Sequence, residues 1–442
     1  MKIGIVGLGF VGLSFASVLG SKGYSVIGVD TDKEKISKIK KGIAPFHEPK
    51  LDDTLRKALK NQLQITSEVS PVVNQCDFVF VTVGTPQLED GSIDLSMVTQ
   101  VVTKIGKILS KTKNVPTIVI KSTVVPETTV KVVLPILEKE SRKKAGKGFG
   151  LVANQEFLRE TNAINDTVNP HVVVIGGFND KFLSKLEKFY TKFHKNVPIV
   201  KTNPQTAEMI KYANNSFLAT KISFINQIAK ICETVSGANV DDIAKTIGMD
   251  PRIGRLFLSA GPGYGGSCLP KDVKALINFA NRHKIQPTLL DAVEKVNEHQ
   301  LNNIVFLLKR KLGKLANKKI TILGTAFKPD TDDIRDSVSI KLIELLLKEK
   351  AKLVVHDPKA LENTKLIFAD KISYSISLKK ALGKSECAII MTAWKEYSKI
   401  GKNEIMLMKR PIIIDSRRLL VNSIAKNCDY HAIGVGLKQK IF

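Results

Sequence analysis

The sequence is poor in cysteine and has no long apolar runs, and both absences exclude classes of protein. Its 442 residues include five cysteines at irregular spacing, and no two of them form a CxxC pair. An odd number of scattered cysteines argues against a disulfide framework and against a zinc site. No apolar stretch is long and clean enough to cross a bilayer, and the first residues lack the features of a signal peptide. We therefore expect a cytoplasmic protein with reduced thiols and no membrane partner.

Acidic residues and histidines are also scarce. The 42 acidic residues face 68 basic ones, which gives a formal net charge of +26. Such a charge fits either a nucleic-acid or membrane-surface binder or a lysine-biased protein with a polyanionic small ligand. The lysines are spread through every segment without interleaved aromatic residues, so we expect no nucleic-acid partner. The seven histidines form no metal-spaced cluster, and no metal is predicted.

Apolar runs ending in glycine or polar residues alternate with helical patterns in two parts of the chain. This alternation predicts parallel sheets covered by helices on both faces. Between them, the stretch that begins near Pro204 has helical apolar spacing over some thirty residues, and a second helical stretch runs from about Pro287 to Lys314. We predict an α/β protein: two Rossmann-like, doubly wound parallel-sheet domains joined by a central helical domain with a long helix. The predicted domains are residues 1–200, 201–312 and 313–442.

The first apolar run leads into a glycine pattern that is typical of dinucleotide binding. Gly7, Gly9 and Gly12 form G-x-G-x-x-G between a predicted strand and a predicted helix. Asp30 ends the second predicted strand, where a carboxylate binds a ribose 2′-OH and favours NAD. Because Lys35 lies close by, NADP stays open as an alternative. The segments VTVGTP and IKSTV end later strands at the same ligand-binding edge of the sheet.

The second α/β part lacks this fingerprint. Its first strand leads into GTAFKP, with Gly324 followed by the bulky Phe327 and the charged Lys328. A dinucleotide pyrophosphate would not approach this turn as closely. We expect a different nucleotide there, bound through Lys328, Arg335 or Arg417.

The segment GPGYGGSCLPKD places one cysteine after a run of glycines. A thiol beside a nicotinamide site suggests aldehyde oxidation, in which Cys268 would form a thiohemiacetal and then a thioester. Hydrolysis then needs a base and an oxyanion stabiliser. The candidates are two carboxylates of NQEFLRE, a lysine and an amide one turn apart on a helix, and a carboxylate after the cysteine: Glu156, Glu160, Lys211, Asn215 and Asp272.

Two plainer interpretations stay open at this stage. Cys268 could be a small residue in a tight turn. Asp272 could be the N-cap of a helix that starts at Val273. The other four cysteines lie in apolar patterns and are interpreted as buried structural thiols.

Together these segments resemble the UDP-glucose/GDP-mannose dehydrogenase family. The resemblance runs in family order along nearly the whole chain and rests on GLGFVG, APFHEP, VGTP, KSTVVP, NQEFLRE, AEMIKYANNSFLATKISFIN, DPRIG, GYGGSCLPKD, GTAFKPDTDDIRDS and IDSRR. It implies oxidation of the C6 alcohol of a nucleotide-linked hexose to a carboxylate with two NAD. The segments FHEP and EDGSIDLS favour UDP-glucose, with GDP-mannose as the alternative. A non-catalytic sensor of NAD or nucleotide sugar is a third possibility, and the retained Cys268 argues against it.

The resemblance also implies roles for particular residues. The catalytic set is Cys268, Lys211, Asn215, Asp272, Glu156 and Thr123. The cofactor set is Gly7, Gly9, Phe10, Val11, Gly12, Asp30, Lys35, Thr85, Thr123, Glu160, Lys271 and Arg335. The substrate set is Glu156, Phe157, Leu158, Arg159, Lys211, Asn215, Arg252, Phe257, Tyr264, Gly265, Lys328 and Arg417. Arg252 would reach into the partner's site across the interface of a homodimer or higher oligomer.

Four positions depart from the usual family pattern. Gln155 stands where a proline is usual, and Glu127 and Thr161 stand where glycines are usual. His171 replaces a common arginine. None of the four is a predicted catalytic residue, so we expect the chemistry to be kept.

Overall fold

The computed structural model describes residues 1–420 and 427–436, and it divides the chain into two compact units. The first is Met1–Asn214 and the second is Asn215–Phe442. Each is described by itself below. The three-domain division at residues 200 and 312 is a finer subdivision and stays a prediction.

The first unit is built on an eight-stranded sheet in the order β3-β2-β1-β4-β5-β6-β7-β8. Its strands are β1 Lys2–Val6, β2 Ser25–Val29, β3 Leu63–Thr66, β4 Phe78–Val81, β5 Thr117–Ile120, β6 Gly150–Ala153, β7 Val173–Gly177 and β8 Ile199–Thr202. Neighbouring strands are parallel except that β7 runs antiparallel to β6. The expected all-parallel sheet is therefore wrong at this one junction. The strands from β4 to β6 are buried along their whole length, as expected for a sheet covered on both faces.

Helices cover both faces of this sheet, which confirms the doubly wound arrangement. They are α1 Phe10–Ser21, α2 Lys33–Lys40, α3 Leu51–Asn61, α4 Ser70–Gln75, α5 Ser96–Leu109, α6 Leu134–Ser141, α7 Ala163–Val168 and α8 Asp180–Phe193. One apolar core unites α1, α3 and α8 with the sheet. A second core unites α4, α5 and α6 with it. A π-helical turn, Thr129–Val133, leads directly into α6.

The middle of the chain is helical, as its apolar spacing predicts. The helix α9, Pro204–Cys232, has 29 residues, begins in the first unit and ends in the second. It is followed by α10 Val240–Ile247, α11 Leu269–Arg282 and α12 Thr288–Leu312. In the part of the chain that the structure describes, no helix has the length and hydropathy needed to span a membrane.

The second unit contains a six-stranded sheet in the order β11-β10-β9-β12-β13-β14, and all its neighbours are parallel. The strands are β9 Lys319–Leu323, β10 Lys352–His356, β11 Ser373–Tyr374, β12 Cys387–Ile390, β13 Ile412–Asp415 and β14 Asp429–Ala432. The helices that follow them are α13 Val338–Lys348, α14 Leu361–Phe368, α15 Leu378–Leu382 and α16 Lys402–Ile405. The predicted second Rossmann-like sheet is confirmed.

Candidate active site

The glycine turn after β1 has the geometry that a pyrophosphate needs. Gly7 has a φ of +102°, which residues with side chains rarely adopt. A Cβ at Gly12 would lie 1.9 Å from the carbonyl oxygen of Gly7, so only glycine lets α1 pack this closely. A Cβ at Gly9 would meet nothing within 4 Å, and Gly9 is the N-cap of α1. The open face of Gly9 beside the N-terminus of α1 therefore suits a bound phosphate.

Asp30 lies at the end of β2, beside this turn. Its carboxylate accepts hydrogen bonds from the Leu8 N–H at 2.9 Å and from Lys35 Nζ at 3.0 Å. Burial alone would raise the pKa of Asp30, but the hydrogen bonds from Asp32 N–H, Lys35 and Leu8 N–H outweigh it and hold the pKa below its usual value. Asp30 is thus an ionised acceptor, as binding of a ribose hydroxyl requires. The ammonium of Lys35 is engaged with this carboxylate.

The remaining predicted cofactor residues of the first unit surround the same sheet edge. Phe10 and Val11 are the first two residues of α1. The hydroxyl of Thr85 donates to the carbonyl of Thr123 at 2.8 Å, which ties the loop after β4 to the loop after β5. Thr85 therefore supports the Thr123 backbone. Glu160 follows β6 in the NQEFLRE loop and is half-buried.

Glu156 and Lys211 form a buried ion pair inside the first unit. Glu156 follows β6, and Lys211 projects from α9; their Oε1 and Nζ atoms are 3.3 Å apart. The other carboxylate oxygen of Glu156 accepts from the N–H of Leu158. The Lys211 ammonium also lies over the Phe157 ring, 5.3 Å from its centroid. A buried charge pair needs such additional partners, because desolvation offsets much of its Coulomb attraction.

The rest of the NQEFLRE loop is held by a carboxylate of α7. The guanidinium of Arg159 binds Asp166 through Nε at 2.9 Å and through Nη2 at 2.7 Å. The Arg159 N–H donates to the same carboxylate at 2.9 Å. Arg159 thus has a structural partner, and its predicted contact with substrate stays a prediction.

Glu48, from APFHEP, is a residue that the motif analysis did not interpret. Its buried carboxylate accepts the N–H groups of Thr161 at 2.7 Å and Ala163 at 2.8 Å, more than 110 positions along the chain. Thr161 has a φ of +64° and Glu127 a φ of +73°. Both therefore occupy left-handed backbone where the family's usual glycine has no steric cost. Glu48 holds one of these two strained turns in place.

In the second unit, Cys268 is exposed at the start of α11. It is the N-cap residue of that helix, which contains Pro270 in its first turn. The Asp272 N-cap alternative is therefore wrong, because the helix starts at Leu269 and Asp272 lies inside it. The positive end of the helix dipole stabilises a thiolate at this position. The Ser267 hydroxyl lies 3.6 Å from Sγ.

Asp272 is buried one turn further along α11 and links two other predicted residues. Asn215 Nδ2 donates to its Oδ2 at 2.6 Å, and Lys271 Nζ binds its Oδ1 at 2.6 Å. Asn215 lies one turn beyond Lys211 on α9, as its spacing predicts. The second unit thus brings together Asn215, Asp272 and Lys271.

A cavity of about 310 Å³ lies in the second unit, and its lining includes Leu269, the residue that follows Cys268 in the chain. Four predicted substrate residues, Phe257, Tyr264, Gly265 and Arg417, line it, together with Ile222, Leu256, Ser259, Gly261, Gly263, Leu269 and Phe327. A Cβ at Gly265 would lie 2.4 Å from the carbonyl oxygen of Asp336, so glycine is required for this close approach. Arg417 donates through Nε to the Met391 carbonyl at 2.7 Å. Burial, and secondly the neighbouring Arg418, lowers the pKa of Arg417 to about 10, which leaves it cationic at neutral pH.

Three predicted basic residues do not line this cavity. Arg252 is exposed and forms a two-pronged pair with Asp250. Arg335 is exposed and pairs with Asp333 in the same way. Lys328 lies over the Phe327 ring, 5.4 Å from its centroid. Their predicted roles stay predictions, as do those of all the site residues named above.

Asn226 and Arg418 hold the glycine loop by hydrogen bonds, and although both lie in segments that carry the family resemblance, the sequence predicted no role for them. Asn226 Oδ1 accepts the Gly261 N–H at 2.7 Å. Arg418 donates through Nη1 to the Ala260 carbonyl at 2.6 Å and pairs with Asp241. These contacts join residues that are far apart in the chain, so no local spacing in the sequence predicts them.

Known proteins can now be compared with this chain. Models of the UDP-glucose/GDP-mannose dehydrogenase family match its NAD binding domain to residues 1–194, its central domain to residues 205–299 and its UDP binding domain to residues 321–422. A UDP-glucose 6-dehydrogenase of Haloferax volcanii is 38% identical over 98% of this chain and 100% of its own length. One from Bacillus subtilis is 38% identical over 98% of this chain and 93% of its own.

A solved structure agrees with these sequence matches. The UDP-glucose dehydrogenase of Pyrobaculum islandicum superposes with a TM-score of 0.92 at 32% identity, covering 98% of each chain. The fold and the sites thus define a dehydrogenase with an NAD-binding domain and a nucleotide-binding domain. The chain belongs to the UDP-glucose/GDP-mannose dehydrogenase family. The predicted fold class, NAD cofactor and nucleotide-sugar substrate class are confirmed.

Proposed function

We propose that this chain oxidises the C6 alcohol of UDP-glucose to the carboxylate of UDP-glucuronate, reducing two NAD for each sugar. The proposal is supported by full-length similarity to relatives named UDP-glucose 6-dehydrogenase. The observation that carries the chemistry is Cys268, exposed at the N-cap of α11, the helix whose first residue, Leu269, lines the cavity that also contains Arg417. The enzyme works in the cytoplasm, where its thiols stay reduced.

In the first oxidation, the C6 alcohol loses a hydride and a proton and becomes an aldehyde. The glycine turn after β1 and Asp30 would hold NAD, which would supply the hydride acceptor for both oxidations. Lys211 and Asn215 stabilise the negative charge that develops on the C6 oxygen. Thr123 and Asp272 order water or assist transfer of the proton.

In the second oxidation, the Cys268 thiolate adds to the aldehyde carbon and the C6 oxygen takes up a proton. The resulting thiohemiacetal loses a hydride and that proton and becomes a thioester. Water then adds to the thioester carbon, and Glu156 accepts a proton from the water. The C–S bond breaks, the thiolate is regenerated and the acid is released.

The nucleotide part of the substrate lies in the second unit. Phe257, Tyr264 and Gly265 shape the cavity, and Arg417 and Lys328 supply positive charge for the two phosphates. The exposed Arg252 serves a partner subunit of a homodimer.

A stripe of exposed apolar side chains on α9 supports the dimer. Phe217, Phe224 and Ile231 are spaced seven residues apart, and more than half of each side chain is exposed. A heptad spacing keeps such residues on one side of a helix, where they pack against a matching helix. An apolar stripe of this kind is typical of an interface between subunits.

The proposal is tested by counting NADH formed per sugar consumed when purified protein is given excess NAD and UDP-glucose, or separately GDP-mannose. We expect two NADH per UDP-glucose and little from GDP-mannose. The variant Cys268→Ser should lose the four-electron reaction and keep NAD binding. Cys428→Ser is the matched control, since Cys428 is a half-buried thiol on another element, and it should keep full turnover.

Each contrary result changes one part of the proposal. Two NADH from GDP-mannose alone would keep the mechanism and overturn the substrate. Full turnover by Cys268→Ser would overturn the covalent role of the thiol. No NADH from either sugar nucleotide would favour a sensor of NAD or nucleotide sugar.

A further inference from the structure

Gln155 is a buried amide without a protein partner. It immediately precedes Glu156 and is only 2% exposed. Among the residues that the structure describes, neither its Oε1 nor its Nε2 has a hydrogen-bond partner. Buried polar groups in folded proteins are nearly always paired, with protein or with ordered water. The usual proline of the family has no side-chain amide, so the need for a partner arises here from the glutamine.

Gln155 lines a cavity of about 40 Å³ in the first unit, on the side of the sheet edge where Glu156 lies. That volume has room for water. The wall also contains the Thr167 hydroxyl, which is buried and has no partner among the described residues. A water there would find the two to four polar partners that a buried water requires.

Lys121 places an ammonium on the same wall. Lys121 follows β5 and is buried, and its Nζ donates to Asn154 Oδ1 at a long 3.3 Å. It also lies 5.3 Å from the centroid of the Phe15 ring. Asn154 Oδ1 is already shared with the Tyr190 hydroxyl. An ammonium has three N–H donors, and these contacts leave room for water to accept from it.

The groups that face Lys121 come from several elements. Burial is the largest influence on Lys121 and lowers its pKa to about 8. The nearby Glu156 raises this pKa, and Lys211 on α9 lowers it. At the C-cap of α8, burial lowers the pKa of His194 to about 4, so it is neutral at pH 7. Its Nδ1 donates to the Val168 carbonyl, which leaves Nε2 as an acceptor.

The last two titratable groups on the wall are Tyr190 and Asp166. Burial raises the pKa of Tyr190 far above its usual value, so its hydroxyl remains protonated. Asp166 on α7 is neutralised by Arg159. Near neutral pH, the Glu156 carboxylate therefore has one buried cation on its cavity side, Lys121, besides its ion-pair partner Lys211.

We propose that this cavity is a water site, and that Lys121 and Gln155 act through it as positioning residues for the Glu156 carboxylate. Gln155 holds the water, and the Lys121 ammonium supplies positive charge on the cavity side of the Glu156 carboxylate. The proposal rests on the proposed function, in which Glu156 accepts a proton during thioester hydrolysis. It adds two residues that contact neither substrate nor cofactor and that nevertheless set the rate of that step.

The first test is structural. A crystal structure of the wild-type protein should show ordered water within hydrogen-bonding distance of the Gln155 amide and of Lys121 Nζ. A dry cavity, or a Gln155 amide paired with protein, overturns the proposal. This readout does not depend on any activity.

The second test uses Gln155→Leu, which removes the amide and keeps nearly the same volume. We expect hydrolysis to slow roughly tenfold, a part of what proton-transfer groups contribute. The thioester on Cys268 should then accumulate during reaction with UDP-glucose and NAD. It should be detected by mass spectrometry once the reaction is quenched. If the amide holds no water, removal of an unpaired polar group raises the unfolding temperature and leaves hydrolysis unchanged, which overturns the proposal.

The third test uses Lys121→Met and the pH dependence of hydrolysis. Loss of a nearby cation raises the pKa of a carboxylate, so the acid limb of the rate profile should move up by about one pH unit. Lys113→Met is the matched control, because Lys113 is an exposed lysine in the loop before β5, and its profile should match the wild type. An unshifted acid limb in Lys121→Met overturns the role of Lys121.

Glu156→Gln separates this proposal from the proposed function. If Glu156→Gln hydrolyses the thioester at the wild-type rate, the role of Glu156 itself is wrong, and the kinetic part of this proposal is overturned with it. The water seen beside Gln155 would still support the cavity as a water site. If Glu156→Gln is slow while Gln155→Leu and Lys121→Met are normal, only the present inference fails.

Discussion

The six strands of the second sheet follow the same order as the first six strands of the first sheet, but the loops after the first strand differ. In the first unit, α1 starts at Phe10, three positions after Gly7. In the second unit, α13 starts at Val338, fourteen positions after Gly324. Only the first unit therefore has a helix N-terminus directly at the glycine turn, where it can face a pyrophosphate.

The carboxylate at the end of the second strand shows the same divergence. Asp30 accepts from one N–H of the glycine turn and pairs with a lysine near the surface. Asp357 accepts from the N–H groups of Thr325 and Ala326 and from the Trp394 indole. Asp357 binds donors of several loops within the protein, whereas Asp30 is predicted to accept from a ribose hydroxyl. The comparison teaches that a shared strand order does not decide which ligand binds. The position at which the helix begins after the first strand does.

The largest expected effect is on the glycine turn of the first unit. In Gly12→Ala, the new Cβ would lie 1.9 Å from the Gly7 carbonyl oxygen, so the turn must open. We expect kcat/KM for NAD to fall at least about a hundredfold, or about 2.7 kcal/mol. Gly9→Ala is the matched control for folding, because a Cβ at Gly9 meets nothing within 4 Å. Normal NAD kinetics in Gly12→Ala would contradict the close-packing account of this turn.

A smaller effect is expected when the buried Asp357 carboxylate of the second unit is removed. Asp357→Ala leaves several buried donors without an acceptor, including two N–H groups of the loop after β9. We expect the free energy of unfolding to fall by about 3 kcal/mol, measured by urea denaturation followed by fluorescence. Asp30→Ala is the counterpart in the first unit and should mainly raise KM for NAD. Equal loss of stability in both variants would remove the distinction between the two carboxylates.

The smallest effect concerns backbone strain in the first unit. Glycine carries the positive φ at Gly263 and Gly266 in the second unit, whereas Thr161 in the first unit and Phe257 in the second carry it with a side chain, at +64° and +66°. Thr161→Gly removes the strain of a left-handed backbone in the folded state, about 1–2 kcal/mol. Glycine also gives the unfolded chain more conformational entropy, which offsets about half of that gain. The net gain in unfolding free energy should be about 0.5 kcal/mol. In Thr54→Gly, within α3, the sign should reverse, and a loss of stability in both variants would show that Thr161 is not strained.

The apolar strands and the glycine fingerprint made most of the fold readable from the sequence. A fully buried parallel strand is a continuous apolar run, and β1, β4 and β12 all show one. Four edge strands were not predicted from the sequence, because edge strands are short and half polar: β3, β8, β11 and β14. The strand β7 was predicted from its apolar run, but its antiparallel direction was not, since a buried run carries no sign of its direction.

Roles in the candidate site were predicted where the chemistry or spacing of a motif indicates them. Roles that depend on contacts between distant positions were missed. The spacing of Lys211 and Asn215 on α9 predicts one helix face, as observed. The start of α11 was misjudged although Pro270 gave a usable signal, since proline is common in the first turn of a helix. The support of the glycine loop by Asn226 joins positions that only the folded chain brings together.

The bond between Glu48 and the Thr161 turn has a consequence for how this sequence can change over time. Threonine at a left-handed position is tolerable here while a carboxylate far earlier in the chain holds the turn. Replacement of Glu48 should therefore be acceptable only after residue 161 has returned to glycine. The order in which the two substitutions arise decides whether a lineage passes through a damaged intermediate, so the two positions should vary together among related sequences.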